Sequence, residues 1–274
     1  MKKLIAVLLC ISLMGLFACG QSEPDDRTTV TTTIETTTEA PTTTIPETTM
    51  QPIEPPKEIP QLPQTGKSLN DFIPDGYVLH DGVSLDFNGD GWEDYAGVLD
   101  HPSDCDWENH EDCMACTRIL FAIRNTGNGY QLSFQDEQLI MRAREGGRFG
   151  SGYDRLSTNG RTFTIEMTLG SAWSGTDKCT FQYIDGTWYL VRRHQYGWHS
   201  TQGIVTYESI DDYLSRVGIR RKNSDERVMA ERDPDAGSEV IQDFETDERI
   251  KLGPPPTLKA FSREFAQEHR GERN

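Results

Sequence analysis

The sequence predicts an all-β domain: an antiparallel sheet or sandwich-like fold of about eight short strands. Three observations carry that expectation. Phe163, Ile165, Met167 and Leu169 alternate with Thr164, Glu166 and Thr168, the period of two that marks a half-buried strand. Cys179, Phe181 and Tyr183 alternate with Thr180 and Gln182, and Asp185-Gly186 then leads into Thr187-Trp188-Tyr189-Leu190-Val191. Asp-Gly between two such runs predicts a hairpin, because the tight turn needs positive φ. Short apolar segments recur between Gly, Asn and Asp turns, and helical periodicity is scarce.

The elements follow in chain order. Tyr77–Leu79, Val83–Phe87 and Tyr95–Leu99 read as strands. Ile119-Leu120-Phe121-Ala122-Ile123 is a continuous apolar run between Arg118 and Arg124. It reads as a strand buried on both faces, although a short helix has the same pattern. Asn125–Gly129 turns the chain into Tyr130-Gln131-Leu132, and Asn159-Gly160 turns it into the Phe163 strand. Gly203–Tyr207 is a further strand, and Ser209–Arg216 is expected as a short helix. Residues 67–216 therefore form the predicted domain, long enough to bury a real core.

The flanks differ. Met1–Gly20 has Lys2 and Lys3, then the apolar run Leu4–Phe17, then small residues, which is the layout of an export signal. Residues 28–49 hold 13 threonines in 22 positions, and seven prolines lie between Pro41 and Pro63. Such a segment buries too little surface to offset its ordering entropy, so 19–66 reads as an extended tether. About 45 residues in a polyproline-like state reach about 140 Å. Residues 217–274 carry 11 basic and 13 acidic residues and few aromatics, and read as a charged, largely disordered tail. Within it, Ile241–Leu252 could lie as an edge strand and Leu258–His269 as a short amphipathic helix.

Composition excludes some functions. The chain of 274 residues has 44 acidic and 27 basic residues, a formal charge of −17, and 35% hydrophobic residues. That charge repels phosphate backbones, so no nucleic-acid partner is expected. No apolar run of 18 or more lies beyond the N-terminus, so no internal membrane span is expected.

Asp86-Phe87-Asn88-Gly89-Asp90-Gly91-Trp92-Glu93-Asp94 is the sharpest motif. Oxygen ligands at alternate positions of a curling loop are the pattern of a calcium site. The expected ligands are Asp86, Asn88, Asp90, the Trp92 carbonyl and Asp94, with Gly91 allowing the sharp turn. Three carboxylates this close repel one another unless a cation sits between them. The alternative is an Asp/Asn/Gly-rich turn without metal. Position 12, where a helical EF-hand places its bidentate Glu, is Gly97, so the loop is expected to join two strands.

This loop resembles the calcium loops of FG-GAP/VCBS-type repeats. Only one copy is present, too few for a propeller. Leu16-Phe17-Ala18-Cys19-Gly20 resembles the lipobox of bacterial lipoproteins, which implies cleavage after residue 18 and lipidation of Cys19. Two acyl chains suffice for stable anchoring. Ile73-Pro74-Asp75-Gly76-Tyr77, the acidic loop, Arg118–Phe121, Gly146–Gly150 and Phe181–Leu190 come in an order that looks like a group of bacterial lipoproteins with one FG-GAP-like repeat. The resemblance implies an extracytoplasmic, membrane-anchored location and calcium, and no reaction.

Cys105, Cys113, Cys116 and Cys179 are candidates for disulfides, which persist after export. Four cysteines allow three pairings. A zinc knot with Asp104 and His110, and reactive thiols at Cys113-Met114-Ala115-Cys116, are the alternatives. Cys179 is expected to tie the 105–116 loop to the sheet. His80, His101, His194 and His199 lack a nucleophile elbow, metalloprotease helix or P-loop beside them. Arg192-Arg193-His194 with Trp198-His199 reads either as an exposed aromatic face for sugar or peptide, or as charges set against an acidic surface. The function expected is a lipid-anchored binding or interaction module with a protein or glycan ligand. The alternative is a cell-envelope hydrolase or thiol oxidoreductase.

Overall fold

The computed structural model describes residues 58–102, 117–142, 145–147, 150–199, 204–224 and 244–270. Cys19, the export segment and the threonine-rich stretch lie outside these residues.

Twelve strands, one 3-10 turn (Leu69–Phe72) and one α-helix are present among them. The first five strands are β1 (Thr65–Gly66), β2 (Val78–Leu85), β3 (Asp94–Asp100), β4 (Ile119–Asn125) and β5 (Tyr130–Asp136). They form one antiparallel sheet in the order β1-β5-β4-β3-β2. The others are β6 (Tyr153–Thr158), β7 (Thr162–Gly170), β8 (Trp173–Ile184), β9 (Thr187–His199), β10 (Ile204–Asp212), β11 (Val217–Lys222) and β12 (Thr246–Lys251). They form a seven-stranded sheet, ordered in reverse from β12 to β6. The all-β, sandwich-like class follows from these two sheets, with more strands than the eight expected.

The core lies between the sheets. Leu85, Ala96, Val98, Leu120 and Ala122 of the small sheet pack on Phe163, Ile165, Met167, Phe181 and Leu190 of the large one. A second cluster covers the other face of the small sheet: Leu62, Phe72, Leu99, Ile119, Phe121 and Ile123. Residues 119, 121 and 123 therefore face one way and 120 and 122 the other. All five are fully buried, which is why this run carries no polar alternation and forms a strand. The sheets also meet edge to edge. At a bulge in β2, Asp81 Oδ2 accepts the Leu156 N–H (2.7 Å) and the Tyr153 hydroxyl (2.7 Å) of β6. In the β8–β9 hairpin Asp185 (φ 48°) and Gly186 (φ 87°) both take the positive φ the tight turn requires.

Three boundaries differ from expectation. The folded unit starts before residue 67: Leu62 is buried, its N–H donates to Gln135 Oε1 (2.8 Å), and β1 pairs with β5. Ser209–Arg216 is not a helix. Ser209–Asp212 pair with β9 on one side and β11 on the other, and Arg216 closes a turn at φ 59°. One isolated helical turn has too few bonds to compete with a ladder on both sides. The tail is also not wholly disordered: β11 and β12 extend the large sheet, and helix α1 (Leu258–Arg270) follows. Leu258, Phe261 and Phe265 of α1 are buried in the main core. The Leu190 N–H donates to the Pro256 carbonyl (3.0 Å), guiding the chain into the helix. The helix matches the amphipathic segment expected over Leu258–His269, with its apolar stripe at i, i+3 and i+7, and β12 falls within the edge strand considered for Ile241–Leu252.

If the tail belongs to the core, Phe265→Ala should cost about 3–5 kcal/mol of unfolding free energy, as for other buried phenylalanines. Lys259→Ala, on the exposed face, should stay within about 0.5 kcal/mol. Urea unfolding of the two variants measures both.

Candidate functional site

The acidic loop joins β2 to β3, as its flanks predicted. Its side chains close on its own amides. Asp86 accepts the Gly89 N–H at Oδ1 (2.7 Å) and the Gly91 N–H at Oδ2 (3.1 Å). Asn88 Oδ1 accepts the Asp90 N–H (3.0 Å), and its amide donates to Asp90 Oδ2 (2.8 Å). Asp90 Oδ1 accepts the Trp92 N–H (2.9 Å). Gly91 (φ 87°) turns with no atom near where a Cβ would project. The exposed Trp92 indole lies against Gly127 in the β4–β5 turn.

Asp94 does a different job. It is buried, and it accepts the Phe87 N–H (3.2 Å) and the Asn125 N–H (2.8 Å). It thus braces the entry of the loop against the β4–β5 turn. Burial first, then the charges of Asp90 and Asp86, push its pKa up to about 6, while the N–H bonds from Asn125 and Phe87 pull it down. Among the described residues no three His, Cys, Asp or Glu side chains are drawn together as a metal cage. The donor set is nonetheless all hard oxygen, which suits calcium and not zinc. Each carboxylate oxygen that accepts one N–H keeps a further lone pair.

The other predicted residues are scattered. Cys105, Cys113 and Cys116 lie outside the described residues. Cys179 is a free, fully buried thiol, so it does not tie a loop to the sheet. It faces inward in β8, in contact distance of Asp177 Oδ1 (3.4 Å), and burial raises its pKa well above the ordinary thiol value. His80 Nδ1 is 3.6 Å from Asp100, and His101 packs edge-on against Tyr77. His194 Nε2 bonds Glu208 Oε1 (2.8 Å), and His199 packs edge-on against Trp173. His80 and His101 thus share Asp100 in the small sheet, while His194 and His199 lie on β9 of the large one. Arg192-Arg193-His194 is not an exposed basic face, because β9 lies in the middle of the sheet and alternates sides. Arg193 points inward and grips buried Asp177 with Nη2 (2.6 Å) and Nε (3.0 Å), while Nη2 also reaches Glu268 of α1 (3.1 Å). His194 joins an outer row in which charges alternate from Arg155 to Glu166 to Lys178, and from His194 to Glu208 to Arg221 to Asp247.

One feature of the inner face was not foreseen. Beyond the last turn of α1, β7–β11 leave a cleft of about 490 Å³. Leu169, Trp173, Tyr207, Gln195, Lys222 and Glu268 line it. Tyr207 lies over the paired glycines Gly175 and Gly197, and a Cβ on Gly197 would fall 2.3 Å from the ring. Glycine inside a strand marks a close approach of this kind. The two glycines were visible in the sequence, but pairing them required the β8–β9 register.

Comparison with known protein-family models, curated proteins and solved structures finds no match for this chain. Among the described residues no helix is long and apolar enough to cross a membrane.

Two outcomes follow from the chemistry of these groups. The folded-state pKa of Asp94 lies above the ordinary 3.8, so folding favours its protonated form. Its contribution to stability is full below that ordinary value and is lost as pH rises through about 6. In calcium-free buffer this amounts to at most about 3 kcal/mol, at about 1.4 kcal/mol per pKa unit. Urea midpoints between pH 4 and 7.5 should lose that component in Asp94→Asn. Cys179 should resist a maleimide in the native chain and react once the chain is unfolded, read by peptide mass spectrometry.

Proposed function

We propose that this chain is a lipid-anchored surface protein facing the extracytoplasmic side of a bacterial membrane. Its β domain, stabilised by calcium at a single FG-GAP/VCBS-like loop, acts as a binding module for a protein or glycan. The observation that carries the reading is the crowding at the β2–β3 loop. Burial above all, with smaller contributions from the charges of Asp90 and Asp86, raises the pKa of Asp94, and the loop's side-chain donors are all oxygen. A hard divalent cation would relieve that repulsion and hold Asp94 ionised. Asp86, Asn88, Asp90, the Trp92 carbonyl and Asp94 are the proposed ligands. The lipobox-like Leu16–Gly20 and the threonine-rich tether support a domain held away from the membrane by Cys19 lipidation. An envelope enzyme draws less support, because the Cys179 thiol is sealed in the core.

Calorimetry tests the metal. A cation at ten times its Kd stabilises by about 1.4 kcal/mol, which for a domain of this size raises Tm by about 3–6 °C. Calcium at millimolar concentration should produce that shift over EGTA, and Asp90→Ala should abolish it. A Tm indifferent to about 5 mM calcium, roughly five times the upper end of extracellular Kd values, would remove calcium from the proposal. Labelling with a radioactive fatty acid tests the anchor: label should enter the wild-type chain and be absent from Cys19→Ala.

A further inference from the structure

The geometry points to the cleft beyond the end of α1 as a carbohydrate site that takes the end of a neutral glycan. This deepens the binding-module reading and rests on it.

The floor of the cleft is aromatic and open. Trp173 is 47% exposed and Tyr207 42% exposed, although both rise from the inner face of the large sheet. Elsewhere that face is covered: Phe163, Phe181, Met167 and Cys179 are fully buried between the layers. Tyr207 lies on two glycines that face each other in register, Gly175 of β8 and Gly197 of β9. The sheet thus gives up two side chains, near the ends of its central strands, to seat one ring. Two interior glycines cost strand stability, and the gain is a planar apolar platform. Leu169 of β7 pairs with Gly175 and extends it.

The perimeter is polar. Gln195 uses its amide N–H on Asp177 (3.0 Å), which leaves its carbonyl oxygen to accept. The Tyr207 hydroxyl, Glu268 Oε1 and the Lys222 ammonium add donors and acceptors. The charges balance. Asp177 and Glu268 share the single Arg193, leaving one negative charge, and Lys222, which has no ion-pair partner among the described residues, restores neutrality. A site built for an anion or a cation would carry an excess of the opposite sign. A pyranose ring fits instead: its C–H face stacks on an aromatic ring, and its hydroxyls take bonds from amide, carboxylate and ammonium groups at its edge. The volume of about 490 Å³ falls within the range of small-ligand sites. Trp and Tyr are the side chains that combine a large apolar face with a polar handle.

The test uses the full chain in detergent, with cellotetraose, maltotetraose and chitotetraose as neutral probes. Tetragalacturonate and a chitosan tetramer are the charged comparators. Titration is followed by tryptophan emission and calorimetry. At least one neutral tetrasaccharide should bind saturably and change the emission. Trp173→Ala should weaken that binding by about tenfold or more, as expected for an aromatic anchor. Tyr207→Leu, which keeps Gly175 and Gly197 covered, should also weaken it, and both variants should melt like the wild type. The inference is overturned if no neutral probe binds, if a charged tetramer is preferred, or if binding survives Trp173→Ala. Calcium melts on the same samples separate the two claims. Loss of sugar binding with an intact calcium shift sinks the cleft assignment alone. Sugar binding without a calcium shift sinks the metal assignment alone.

Discussion

The large sheet is longer than its partner, and the rest of the molecule answers that mismatch. β8 and β9 run for 12 and 13 residues, while the strands of the small sheet other than β1 run for seven or eight. At about 3.3 Å per residue, roughly 15–20 Å of each long strand projects past the small sheet. An inner face of an antiparallel sheet cannot be left bare where it is apolar. Helix α1 covers the excess with Leu258, Phe261 and Phe265, and the Arg193 guanidinium lies 5.2 Å over the Phe261 ring. The Asp177–Arg193–Glu268 group then marks the border where the apolar core ends. A buried pair of this kind is neutral enough to tolerate burial only because its bonds are satisfied from both sides. Past that border the face turns to aromatic and amide groups, and the cleft begins.

This division explains which elements were legible in the sequence. Strands with one wet face announced themselves: Phe163–Leu169 and Cys179–Tyr183 alternate because the outer face of the large sheet meets water. Asp185-Gly186 was legible because its turn demands positive φ at both positions. Ile119–Ile123 showed no period, since a strand covered on both faces has none, and only the tertiary layers separate it from a helix. In the tail the helix and the edge strand were legible, but its overall charge argued against a folded segment. Its charge is dense, but Phe261 and Phe265 sit on a single stripe of α1, and β12 supplies backbone to the sheet edge while its side chains stay exposed. Ser209–Asp212 carried little strand signal because ladder bonds from both neighbours hold it extended, and its buried side chain is a charged one, Asp211 paired with Arg220.

The candidate site was legible in part for the same reason. The acidic loop is local: its oxygens and glycines lie within nine consecutive residues, so spacing alone places them in one turn. What spacing did not show was that Asp94 faces inward, because its partner amide, at Asn125, is 31 residues away. Cys179 was misplaced by an argument from compartment. Inward alternation in β8 puts its sulfur in the core. The cleft is wholly nonlocal. Trp173, Gln195, Tyr207 and Glu268 come from three strands and a helix, and only the strand register brings them together.

The acidic loop and the cleft lie at opposite ends of the same strands. The loop meets the start of β7, where the Asp86 N–H donates to the Gly160 carbonyl (2.9 Å), and Phe87 packs on Tyr183 near the end of β8. The cleft occupies the end of β7 at Leu169 and the start of β8 at Trp173. About seven residues of paired strand, or roughly 23 Å, separate them. A cation in the loop is therefore too far away to touch a ligand in the cleft. Its effect on binding would pass through the ladder, by holding the β7 and β8 ends in register, and would be a change in the domain's stability more than in the shape of the site. Were the proposed cation to bind, it would act on one end of the sandwich, while the aromatic floor at the other end stays about seven paired residues away.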